Sequence, residues 1–146
     1  TNKEELFAAL QEEGLDLLQE LAEKAVARGK TPPDKLKKTA LAYLNFSADH
    51  KQYFDVVNYF IAQPDVLFPE EIKTRVDRHG GRVLSVFAEV LAEAGVETPV
   101  KAALTLWSAL HGIIQQQKML DTILPGEDFK KFYMYGYEKI AAGLLG

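Results

Sequence analysis

The sequence predicts an all-α domain, a bundle of six helices packed orthogonally, and three observations predict it. Apolar residues recur with the helical period of about 3.6 along almost all of the 146 residues. No stretch sustains the alternation of a half-buried strand. The prolines fall at the boundaries of the periodic segments, where helices start and stop. With 47% apolar and 26% charged residues, the chain has the composition of a folded domain. Its length suits one domain, residues 1–146, with a core large enough to fold alone.

The first helix is expected over residues 2–28, with Leu6, Leu10, Leu17, Leu21 and Ala25 on one stripe and Gly29 past its end. Asn2 stands at the N-cap position and Glu5 three residues on, the spacing of a capping box. Glu4 and Glu5 also suit the positive end of the helix dipole. Thr31-Pro32-Pro33-Asp34 starts a second helix, because proline is tolerated in a first turn. That helix runs to about Ala48 and carries Leu36, Ala40, Tyr43, Leu44 and Phe46. A third, from Lys51 to Ile61, groups Tyr53, Val56, Val57 and Phe60, and Gln63-Pro64-Asp65 ends it.

Phe68-Pro69-Glu70-Glu71 opens a fourth helix, with Ile72, Val76, His79, Val83, Val86, Phe87 and Val90 on its stripe and Gly95 at its close. Gly80-Gly81 interrupts its interior at a cost of about 1 kcal/mol per glycine relative to alanine. A kink around a ligand, close helix packing or a local C-cap would offset that cost. Thr98-Pro99 starts a fifth helix that reaches about Met119. Leu124-Pro125-Gly126 makes a turn, and the last helix spans Glu127 to Leu145.

The last two helices are apolar on more than one face. In the final helix Phe129, Phe132, Tyr133, Gly136, Ile140, Gly143 and Leu144 share a stripe, while Tyr137, Ala141 and Leu145 lie off it. In the fifth, Val100, Ala103, Leu104, Trp107, His111 and Ile114 share a side that Leu106, Ala109, Leu110 and Ile113 widen. Two faces need two partners: one closes the core, and the other is available to a second copy of the chain. A four-helix dimer interface follows, with Ala103, Leu106, Leu110, Ile113, Phe132, Gly136, Ile140 and Gly143 as its candidate residues.

A net charge of −4 argues against a nucleic-acid surface on this segment, which would need clustered Lys and Arg. With no cysteine, a disulfide framework, a thiolate metal site and a Cys nucleophile are excluded, and a reducing cytoplasm is the expected compartment. No apolar run has the length that a membrane span needs. Catalysis lacks its parts, since no nucleophile elbow, phosphate-cradling loop or H-E-x-x-H is present. A metal on His50, His79 and His111 would require three separate helices to converge, and a haem-binding globin does not fit the long first helix. No cofactor is expected.

Four segments taken together resemble the C-terminal regulatory domain of the TetR (tetracycline-repressor) family: NKEELFAALQEEG, ALAYLNFSADHKQYFDVVNYF, AALTLWSALHGIIQQQ and FYMYGYEKIAAGLLG. The resemblance covers nearly the whole chain in order and spacing. It implies a homodimeric transcriptional regulator, usually a repressor, whose effector domain binds a small molecule. It also places Thr1 where a helix-turn-helix unit hands over to the effector domain, so operator DNA would be read only through an N-terminal unit outside this sequence.

Ligand pockets in helical domains lie between helices and are lined by aromatics with a few polar groups. Tyr43, Phe46, Tyr53, Phe60, His79, Phe87, Trp107 and His111 are the inward candidates, and Trp107 and His111, four apart, share one helix face. With Arg75, Arg78 and Arg82 expected in solvent, the ligand reads as apolar or amphipathic. A helical dimerisation module without a ligand has the same interface features, and a bound small molecule distinguishes the two.

Overall fold

A computed structural model describes residues 2–62 and 70–146, apart from the side chains of Asn2, Phe60, Ile61 and Ala62. Seven helices make up the described residues: α1 (Asn2–Arg28), α2 (Pro32–Asp49), α3 (Lys51–Ala62), α4 (Glu70–Glu93), α5 (Pro99–Gln115), α6 (Gln117–Ile123) and α7 (Phe129–Leu145). The Asn2 cap, the stop signal at Gln63-Pro64-Asp65 and the start signal at Phe68-Pro69 lie outside the described residues.

The helix ends follow local chemistry. The Thr31 hydroxyl caps α2 by accepting from the backbone N–H of Asp34, with proline in the first turn. The Asp128 carboxylate caps α7 by accepting from the N–H of Lys131 at 2.9 Å, so this helix begins two residues later than Glu127. At the end of α4, Val96 N–H reaches Leu91 O and Gly95 N–H reaches Ala92 O, a Schellman closure that requires the positive φ of 88° at Gly95.

The expected fifth helix is two helices. The buried line of α5 ends at Ile114, and continuing it would turn Gln117 and Lys118, both exposed here, towards the core. The chain instead breaks at Gln116, and α6 brings in Leu120, its one buried residue.

α1 runs along α2, α3 and α4. Its buried line is Ala8, Gln11, Leu15, Leu18, Ala22 and Ala25, which corrects the expected leucine stripe: Leu6 is 63% exposed, and Leu17 and Leu21 only flank the core. The small residues win the inner positions because three neighbouring helices must approach one axis. At Gly14 a Cβ would already lie 3.2 Å from Tyr53. The core centres on Tyr43, Phe46, Phe87 and Tyr133, with Leu36, Leu91, Leu106 and Leu110 packed about them. Each large apolar side chain buried there contributes about 2 kcal/mol.

Of its two apolar faces, α7 turns inward the one that carries Tyr137 and Ala141. Tyr133, Tyr137 and Ala141 are its buried residues, and the Tyr133 hydroxyl donates to Ala40 O of α2 at 2.6 Å. This bond and the packing of α7 on α5 set the rotation of the helix. The face bearing Phe132, Ile140 and Gly143 is left at or near the surface.

Candidate functional site

A cavity of about 510 Å³ opens between α1, α3, α4 and α5. Its walls are Leu15, Val57, Val76, Leu84, Leu104 and Trp107, and its polar groups are Gln11, Asp77, Ser108, His111 and Gln115. Three glycines make room for it: Gly80 and Gly81 on α4 and Gly112 on α5 line the space, and a Cβ at any of them would meet nothing within 4 Å. Close packing therefore does not account for the glycine pair. α4 runs unbroken through both residues, so they do not end a helix either.

A chain of hydrogen bonds runs from the buried Tyr43 of α2 through His111 to the exposed rim of the cavity. Asn58 Oδ1 accepts from Gln115 Nε2 at 2.7 Å and lies 2.8 Å from His111 Nε2. Since that oxygen can only accept, His111 carries its proton on Nε2, and its bare Nδ1 accepts from the Tyr43 hydroxyl at 2.7 Å. Burial holds the His111 imidazole below its usual pKa, favouring this neutral form. Burial likewise pushes the Tyr43 phenol well above its ordinary range, with the Trp107 indole N–H opposing that shift. Tyr43 and Trp107 meet edge to face, with centroids 6.2 Å apart.

Gln11 Oε1 is buried without a hydrogen-bond partner, and the equally buried Trp107 indole N–H has only the Tyr43 hydroxyl near it, in a contact short of good hydrogen-bond geometry. Gln11 is fully buried, and its Nε2 donates to Val56 O at 3.0 Å. That bond fixes the orientation of the amide, because a backbone carbonyl only accepts. An unmet buried polar atom costs about 1–3 kcal/mol.

Of the aromatics and histidines expected to line a cavity, Trp107 and His111 do so. Tyr43 acts one layer back, through His111. Phe46 and Phe87 are fully buried core residues. Tyr53 packs on Gly14 and donates from its hydroxyl to Glu13 on the outer side. His79 does not line the cavity and is held by acidic residues of α1: its Nδ1 lies 2.5 Å from Asp16 Oδ1 and its Nε2 3.7 Å from Glu12, which also binds Arg75. The side chain of Phe60 lies outside the described residues. Gln11 was missed, although a glutamine in the line Ala8, Gln11, Leu15, Leu18 is a polar residue at core spacing.

Ala103, Leu106 and Leu110 have no exposed surface. They close the monomer core, which corrects their expected place at a dimer interface, because the inward face of α5 is the one that α4 and α7 cover. Ile113 and Gly136 face each other within the chain, where a Cβ on Gly136 would fall 2.6 Å from Ile113 Cδ1. Phe132, Ile140 and Gly143 stay partly or fully exposed, near Tyr135 at 60% exposure. Among the described residues, no three metal-ligating side chains come together, and no helix is long and apolar enough to cross a membrane.

Among the described residues the fold is an all-helical bundle around a mostly apolar cavity with a few polar groups, the form that small-molecule pockets commonly take. The family model described as the tetracyclin repressor-like C-terminal domain matches residues 36–119, more than half of the chain, and the chain belongs to that family. No curated protein and no solved structure matches it.

Proposed function

We propose that this chain is the small-molecule-sensing and dimerising domain of a cytoplasmic transcriptional regulator, a repressor whose hold on operator DNA an apolar or amphipathic effector relieves. The observation that carries the reading is the mostly apolar cavity walled by α1, α3, α4 and α5. α1 lends it Gln11 and Leu15, so a ligand that shifts this wall would move the helix leading towards an upstream DNA-reading unit. The effector acts only through its difference in affinity for the two shapes, typically a coupling of about 1–3 kcal/mol. No step of this function requires catalysis.

Trp107 is the only tryptophan of the chain and lines the cavity, so its fluorescence reports occupancy directly. Titration with a panel of small amphipathic molecules is expected to give saturable changes that Gly112→Phe, which fills the cavity, abolishes. Saturable binding that Gly112→Phe leaves intact would place the ligand elsewhere and sink the reading.

A further inference from the structure

We infer that the cavity takes a cationic amphipathic molecule, an apolar tail carrying an ammonium group, in preference to an uncharged or anionic one of the same length. The inference rests on the reading of the cavity as an effector site and specifies the charge of what enters. No Lys or Arg lines the space, and Asp77 is the one carboxylate there. His111, the other titratable lining group, is held towards its neutral form by burial. Asp77 is exposed, and among the described residues no ion pair or hydrogen bond engages its side chain. The arginines of the same helix do not compensate it: Arg75 is bound to Glu12 of α1, and Arg78 and Arg82 line other surface grooves.

The uncharged groups of α5 point the same way. His111 has both ring nitrogens engaged, by Tyr43 and Asn58, and the exposed Gln115 donates from Nε2 to Asn58 Oδ1. What Gln115 retains is an acceptor, its Oε1. The hydroxyl of Ser108, also exposed, has no partner among the described residues. An ammonium head brings three N–H donors to such acceptors and a charge to Asp77. An alcohol would gain a hydrogen bond without the charge, and a carboxylate would meet Asp77 with no cation to offset the repulsion. Leu15, Val57, Leu84 and Leu104 are there for the tail. Because Asp77 stays in contact with water, its attraction is that of a surface pair, a factor of about three to five in affinity.

Octylamine, 1-octanol and octanoate share one tail and differ in the charge of the head. The intact chain is titrated with each at about pH 7, where the amine is protonated, following Trp107 fluorescence with calorimetry in parallel. Octylammonium is expected to bind about three to five times more tightly than 1-octanol and octanoate more weakly than either, with the differences shrinking at high salt. Asp77→Asn, a change at an exposed position, should bring octylammonium to the level of 1-octanol while leaving the alcohol unchanged. Glu127→Gln removes a negative charge from an exposed turn outside the cavity and should leave the preference intact. An equal loss in both variants would assign the preference to the net charge of the chain and overturn the inference. 1-Octanol or octanoate binding as tightly as octylammonium, or Asp77→Asn keeping the preference, overturns it too while leaving an effector site in place. If none of the three binds in a way that Gly112→Phe abolishes, the effector-site reading falls and the selectivity with it.

Discussion

At the scale of single residues, His111 is the group whose surroundings most constrain its chemistry. Its imidazole is 8% exposed and hydrogen-bonded at both nitrogens as the neutral form. Its pKa in the folded chain lies below the ordinary value of 6.5 that it regains on unfolding. Between those two values the unfolded chain binds more protons, so the stabilisation is complete above pH 6.5 and is lost as the pH falls towards the folded value. Melting temperatures measured from pH 8 to pH 5 should therefore fall, and in His111→Gln the part of that fall due to this group should disappear. Equal slopes for the two proteins would refute the assignment. Tyr133 gives a second residue-scale prediction. Removing its hydroxyl in Tyr133→Phe deletes the bond to Ala40 O and should cost about 1 kcal/mol, a fall of a few degrees in melting temperature.

At the scale of the element, α4 departs furthest from ordinary helix chemistry, because it carries two adjacent glycines in its interior without a break. Open space lies where each Cβ would be. Gly80→Ala and Gly81→Ala should each raise stability by up to about 1 kcal/mol, read by chemical denaturation. Gly136→Ala should give no such gain, since the added carbon would force Ile113 aside. A loss of stability in both α4 variants would show that the glycines serve the fold rather than the cavity. The starts of α2 and α5 and the close of α4 were legible in sequence because caps and prolines act over three or four residues. The break between α5 and α6 was not, because Gln115, Gln116 and Gln117 contain no breaker; it is imposed by where the next core residue, Leu120, must land.

At the scale of the whole molecule, the open question is what meets the outer face of α7. Phe132, Ile140 and Tyr135 present apolar surface there, and Gly143 is exposed with nothing within 4 Å of its would-be Cβ. Light scattering across a dilution series is expected to give the mass of a dimer. Gly143→Lys, which disturbs no contact within the chain, should shift the protein to monomer with its melting transition retained at high dilution. A monomer at all concentrations for the unmodified chain would refute the dimeric reading.

The sequence by itself determined the all-α class, most helix boundaries and that Trp107 and His111 share one helix face, because each rests on local spacing or on chemistry within a few residues. The tertiary structure alone decided which face of α1 and of α7 points inward, since that choice depends on neighbours far along the chain: three helices crowd α1, and Ala40 receives the Tyr133 hydroxyl. It also decided that Ala103, Leu106 and Leu110 serve the core, and that Gln11, Gly80, Gly81 and Gly112 frame one cavity. A cavity is the space that several helices leave unfilled, and no single helix's periodicity records it.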